Sequence, residues 1–185
     1  MAVRPRPRTT HEPPLAARTT EMAKYRLRLT HLMPAITALA ILCIVCIGCG
    51  VSFEVKTPRG FVKLEDQEPQ YDYRAVSAEG VVIAVREIEH KPKGDTSFWI
   101  TAIRSHMREM AGYALLEEKK VTTKSGLNGT QLSFGHDENG ETMLYNVVVF
   151  VTEKYIFLLE FGGSKKEMDR QQAQLASVLD NFKKK

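Results

Sequence analysis

Three cysteines carry the most reactive side chains of this chain, and all of them fall within seven residues. The stretch ILCIVCIGCG places Cys43, Cys46 and Cys49 between Ile41 and Gly50, and the rest of the 185 residues has no thiol. A cysteine can attack as a thiolate, pair as a disulfide, bind a metal or accept a covalent group. Pairing is a poor fit, because the three lie in one apolar run with no partner elsewhere. A metal site is poorer, since no His, Asp or Glu stands near to complete a ligand set. The other reactive types are scattered. His90, His106 and His136 fall in three different predicted elements, and no two are spaced as a metal pair on a helix. HDENGE (136–141) lacks the alternating acids of a calcium loop and reads as a hairpin turn with solvated carboxylates. SGLNG (125–129) is followed by neither Lys-Ser/Thr nor a helix, so it is a turn and no phosphate cradle. There is no G-x-S-x-G elbow, LEDQEPQYD (64–72) reads as a solvated loop, and Trp99 as a core residue. We therefore expect no catalytic residues, no metal and no cofactor; a hydrolase would need a convergent nucleophile and base that the sequence does not display.

The elements around the cysteines narrow their chemistry. From Leu32 to Val51 the chain has no charged residue, and Lys24, Arg26 and Arg28 stand just before it. Cationic, then apolar, then small residues is the layout of a secretory signal, with the positive end retained in the cytoplasm. No Arg-Arg pair precedes the run, so the general export route is expected. Met22 would start such a signal. Residues 1–21 are Pro/Arg-rich and aperiodic, either a disordered cytoplasmic tail or upstream sequence wrongly included in the reading frame, and we favour the second. The run VCIGCG resembles a bacterial lipobox: Gly48 precedes Cys49, and Ile47 is acceptable before it. Cys46 stands where Leu is usual, a departure. Leu42 and Val45 are too bulky before Cys43 and Cys46. The resemblance implies cleavage between Gly48 and Cys49, a diacylglycerol on the Cys49 thiol, and a further acyl chain such as palmitate on the new amine. An uncleaved membrane anchor stays open beside it, since roughly 20 apolar residues can span a bilayer. Both readings attach the body to a membrane. Gly50, rather than Asp, after Cys49 favours the outer membrane in a didermic host.

Charge follows the same division. Seven basic residues against Glu12 and Glu21 give residues 1–48 a balance of +5, while the whole chain carries +4. The remainder is therefore near neutral at −1, which argues against nucleic acid as a partner. The hydrophobic fraction of 43% allows an ordinary core. We divide the chain into the 1–21 extension, a 22–48 signal, a 49–69 lipidation site with tether and edge strand, and a 70–185 folded domain.

Within the body, GFVKL (60–64) reads as an edge strand and Tyr71–His90 as a β-hairpin turning at Ala78–Gly80. Trp99, Ile100, Ile103, Met107 and Met110 recur at helical spacing, predicting a helix over Thr96–Ala111 capped by Gly112. YALLEEKKVTTK, TQLSFGHD, ETMLYNVVVFVTE and YIFLLEFGG are strands joined by short turns, the second turn carrying Asn-Gly. A last helix is expected to begin at a Ser164/Glu167 capping box. Its apolar face is Met168, Leu175, Val178, Leu179 and Phe182, and Lys183–Lys185 suit its C-terminal dipole. The fold class is α+β: an antiparallel β-sheet covered by two α-helices, both available to one face.

This order resembles the PsbP-like superfamily, which includes the extrinsic oxygen-evolving protein of photosystem II, a nuclear-import Ran-binding factor and bacterial DcrB-type lipoproteins. The resemblance is carried by GFVKL (60–64), MAGYALLEE (110–118), GLNGTQLSF (126–134), YNVVVFVTEKYIFLLEFGG (145–163) and VLDNF (178–182). It implies a PsbP-like sandwich with a binding or assembly role and supplies no catalytic residues. The expected protein is thus a non-enzymatic exported lipoprotein. Held at the cell envelope by its lipid anchor and facing the periplasm or cell exterior, it would engage an envelope protein partner. Carriage of a small apolar ligand between sheet and helices is the alternative.

Overall fold

Two apolar runs, VVVF in residues 147–150 and IFLLEF in residues 156–161, are buried on both sides, so neither shows the alternation of a half-exposed strand. They form the middle of the sheet in a computed structural model that describes residues 50–65, 68–109 and 112–185. The strands are β1 (Phe53–Glu54), β2 (Phe61–Lys63), β3 (Tyr73–Ser77), β4 (Val82–Glu89), β5 (Ala114–Thr122), β6 (Asn128–Glu138), β7 (Glu141–Val151), β8 (Tyr155–Ser164) and β9 (Lys183–Lys184). Helix α1 (Thr96–Glu109) joins β4 to β5, and α2 (Lys165–Arg170) and α3 (Gln172–Asn181) follow β8. Seven strands form one antiparallel sheet in the order β2-β3-β4-β8-β7-β6-β5, and β1 pairs with β9 beside it.

The expected α+β class and antiparallel sheet stand, but the helices take opposite faces. On one face Val148, Phe150, Phe157, Leu159 and Phe161 pack against Met168, Leu175 and Val178 of α2 and α3. On the other, Leu132, Phe134, Val147, Val149, Ile156 and Leu158 pack against Ile100, Trp99 and Ile103 of α1. Side chains alternate across a strand, so consecutive residues of β7 and β8 feed two separate cores. Turn chemistry follows the residues: Asn139 (φ 52°) and Gly140 (φ 82°) make the β6–β7 turn, as a two-residue hairpin requires. Edge strand β5 is exposed almost throughout, and its Glu117–Lys120 charges blunt it against pairing with another chain.

Expectations at both ends of the body are corrected. Ser164 makes no side-chain cap, and the capping box does not form. Glu167 instead accepts from Arg170 at 2.8 Å. The expected single terminal helix is broken at Gln171 (φ −102°, ψ 13°), whose side-chain amide donates to Ser77 Oγ at 3.0 Å and Glu79 at 3.1 Å across the β3–β4 turn. Lys183 and Lys184 leave the helix and form strand β9. The stretch expected in part as a tether is fixed from Ser52 onward. Its N–H and hydroxyl both donate to Glu87 at 2.7 Å, and its carbonyl accepts from the Lys185 N–H at 2.7 Å. Phe53 is 3% exposed, stacked on Phe182 at 5.8 Å. The compact unit accordingly runs Val51–Lys185. Residues 1–21, the 22–48 signal, Cys43, Cys46, Gly48, Cys49, Met110 and Ala111 lie outside the described residues.

Candidate functional site

Helix α1 packs over β5, β6 and β7. The rest of that face, built on β3, β4 and the far half of β8, carries none of the described helices and collects the polar groups. Strand pairing explains the cluster. Glu160 lies opposite Ala84 of β4 and Val147 of β7, so Arg86 and Tyr145, two residues on, are its diagonal neighbours on the same face. Arg86 Nε donates to Glu160 Oε1 at 2.5 Å, with the Glu160 side chain 5% and the Arg86 side chain 33% exposed. Tyr145 donates its hydroxyl to Glu160 from the other side. Burial, then the Glu160 charge and that hydrogen bond, push the Tyr145 phenol far above the usual tyrosine range. Burial pulls the Arg86 guanidinium downward, but the Glu160 charge and hydrogen bond more than offset it.

Above this buried pair lies Tyr71. Its ring centroid is 5.7 Å from the Arg86 guanidinium and 5.1 Å from that of Arg74, both within cation–π reach. The acidic loop before β3 is held here as well as solvated: Glu68 accepts from Arg74 at 2.8 Å, and Asp72 from the Glu87 N–H at 2.6 Å. A hollow of about 300 Å³ opens beside the cluster, lined by Tyr71, Arg74, Val82, Ala84, Tyr145 and Gly162 among others. Gly162 lies opposite Tyr145 in the sheet; a Cβ there would meet the Tyr145 ring at 3.7 Å, an ordinary contact, so the missing side chain is what leaves the space. Arginines over a tyrosine ring beside an apolar floor are the residue types that concentrate binding energy in interfaces. The cluster includes no Ser, Cys or His to act as nucleophile or base.

The residues singled out from the sequence do not converge. His90 is 6% exposed, with Nδ1 at 2.6 Å from the Thr152 carbonyl and Nε2 accepting from the Gly94 N–H at 3.1 Å and Trp99 Nε1–H at 3.2 Å. It locks the end of β4 to the start of α1 and the β7–β8 turn, while Trp99 packs on the second core as expected. His106 is exposed on α1, and His136 lies against Tyr113 with ring centroids 4.3 Å apart. The acids of HDENGE are exposed around the β6–β7 turn, Asp137 accepting from Thr142 at 2.8 Å. Among the described residues, no three His, Cys, Asp or Glu side chains are grouped to hold a metal ion, and no helix is long and apolar enough to cross a membrane. A second cleft, about 420 Å³, lies between α3 and the sheet. Leu175, Ala176 and Leu179 form its helix wall, while Glu117, Lys119, Gln131, Ser133 and Asn146 form much of its floor. Sequence reasoning missed Glu160, Arg86, Tyr145 and Tyr71. One signal was available: Glu160 is the lone charge inside YIFLLEFGG, where a buried acid demands a partner.

No protein-family model matches the chain, and no curated protein sequence matches it. Solved structures do. LpqN, involved in cell envelope biogenesis of Mycobacterium tuberculosis, aligns over 74% of this chain and 86% of its own, with 14% identity and a TM-score of 0.52. The Ran-binding protein Mog1p of Saccharomyces cerevisiae aligns over 71% and 89%, with 14% identity and a TM-score of 0.51. The cyanobacterial PsbP of Synechocystis aligns over 76% and 97%, with 13% identity and a TM-score of 0.48. At such identities the likeness is one of fold. The antiparallel seven-stranded sheet with its helices therefore has an α+β fold shared with LpqN and Mog1p.

Proposed function

We propose that the chain is an exported lipoprotein of the DcrB type, anchored through Cys49, whose body is a non-enzymatic binding module for a protein partner at the cell envelope. One observation carries the binding role: Tyr71, flanked by two guanidinium groups, borders a hollow on the part of a sheet face that no described helix covers. The partner inserts an apolar side chain over Val82, Ala84 and Gly162 and aligns polar groups with Arg74 and Arg86. The anchor raises the local concentration of that face and so compensates for a small contact area. The lipobox resemblance at Gly48–Cys49 supports the anchor. A similar fold in LpqN, a protein involved in cell envelope biogenesis, supports the compartment, and Gly50 after Cys49 favours the outer membrane.

The test is site-specific photocrosslinking from position 82 in intact cells. A discrete protein adduct is expected, lost in Gly162→Val, which fills the hollow at a backbone conformation any residue adopts. No adduct, or one indifferent to Gly162→Val, overturns the binding face. Cys49→Ser is expected to abolish incorporation of a labelled fatty acid and to weaken the adduct. The second reading, carriage of a small ligand, has the α3 cleft in its favour. Its polar floor would leave Lys119 and Glu117 against any wholly apolar cargo, an unfavourable burial. Native mass spectrometry separates the two readings, a lipid-sized adduct supporting carriage.

A further inference from the structure

We infer that the end of the body bearing the β1–β9 pair is held directly on an anionic lipid surface, an inference that rests on acylation of Cys49. The spacing decides it. Only Gly50 and Val51 separate Cys49 from Ser52, which three hydrogen bonds fix to Glu87 and Lys185. Three extended steps reach about 10 Å. A lipid on Cys49 therefore leaves no slack for the body to float free of the headgroups, and the surface nearest Ser52 faces them.

That surface has the matching charge. Lys56, Lys184 and Lys185 are exposed and Lys183 is nearly half so. Lys183 donates to Glu54 at 3.0 Å, and with Lys56 and Lys185 it holds the Glu54 carboxyl below its usual range. Four lysines thus face Glu54, Glu87 and Asp72, whose carboxylate accepts from the Glu87 N–H, as the local acids, an excess of cations. At the neighbouring corner, where β4 ends and β8 begins, Lys91, Lys93 and Lys154 surround Glu89. Val51 and Ile88, both about two-fifths exposed (38% and 39%), add apolar surface at the same end. Charges within about 10 Å of a membrane remain inside one screening length, so these ammonium groups meet phosphate headgroups with little attenuation. Lys165 and Lys166 stand beyond the opposite end of β8, nine residue steps from Tyr155, about 30 Å along the strand. The hollow beside Tyr71 extends over Val82, Gly162 and Gly163 toward that far end.

The experiment is amine-acylation footprinting by mass spectrometry on the intact lipidated protein. It compares detergent micelles, phosphatidylcholine vesicles, and vesicles of three parts phosphatidylcholine to one part phosphatidylglycerol. Lys56, Lys183, Lys184 and Lys185 are expected to react several-fold more slowly in the anionic vesicles, with Lys165 and Lys166 unchanged. A flexible Gly/Ser insert of about twelve residues after Gly50 is expected to restore much of their reactivity with the lipid still attached. Equal protection in neutral vesicles overturns the charge recognition, and no protection in either overturns the contact. If the mass of Cys49 shows no lipid, the anchor itself fails, and with it the basis of this inference; a lipid on Cys49 with unprotected lysines defeats the inference alone.

Discussion

Glu160 and Arg86 are unequally buried, and that asymmetry fixes what their removal should do. Replacing Arg86 with Ala strands a carboxylate whose side chain is 5% exposed. Breaking a buried pair by removing one partner costs about 3–5 kcal/mol. Arg86 is one-third exposed, so the pair is only partly desolvated and about 3 kcal/mol is the better figure. Replacing Glu160 with Gln is milder. The guanidinium can turn its exposed third further into water, and the amide oxygen still accepts from Tyr145, leaving a loss of about 1 kcal/mol. The two variants should differ by about 2 kcal/mol, roughly 30-fold in the unfolding constant. The double variant Arg86→Met/Glu160→Leu removes both charges together and should return to within about 1 kcal/mol of the parent. Urea unfolding with a common m-value measures all three. Equal losses in R86A and E160Q, or a double variant as damaged as the sum of singles, would refute the claim that the pair is a coupled buried unit.

Phe182 is fully buried, its ring 5.2 Å from Phe150 and 5.8 Å from Phe53; Phe182→Ala should cost about 3–5 kcal/mol in the same assay. A Cβ at Gly129 would meet the Phe150 ring at 2.6 Å and the Val149 carbonyl at 3.0 Å, so Gly129→Ala should destabilise by about 1–3 kcal/mol through overpacking. Tyr71→Ala should weaken partner binding by about 2 kcal/mol or more while moving the melting temperature little, a separation that a titration beside a thermal scan reads directly. Burial raises the Tyr73, Tyr113 and Tyr145 phenols. Below about pH 10 both states keep these protons and the contribution is whole; as pH rises further the unfolded chain ionises first and stability falls. Tyr145→Phe should flatten that alkaline decline, as measured by urea midpoints between about pH 9 and 12.

The sheet was legible wherever the chain spoke locally. Asn139-Gly140 announced a tight hairpin, Gly112 (φ 70°) stands just past α1 as its helical spacing required, and the VVVF and IFLLEF runs could only be buried strands. What stayed hidden depended on contacts between residues far apart in the chain. Ser164 and Glu167 have capping-box spacing, yet Glu167 finds Arg170 first. Gln171, unremarkable in sequence, breaks a helix because Ser77 and Glu79, over 90 residues away, bind its side chain. Lys183 and Lys184 suit a helix end equally well as a strand, and the partner that decides, Phe53–Glu54, lies at the other end of the body. The face proposed for binding was invisible for the same reason. Tyr71, Arg74, Arg86, Tyr145 and Glu160 come from four strands or their flanks, and only the register β3-β4-β8-β7 assembles them. The choice of opposite faces for α1 and α3 likewise has no local signal, since both are amphipathic and either face would bury them.

The most direct test of the whole account is the intact mass of the mature protein extracted from membranes. The predicted product begins at Cys49 and carries a diacylglyceryl group on its thiol and an acyl chain on its amine. A mature chain that retains residues before Cys49, or a free thiol at that position, would contradict it.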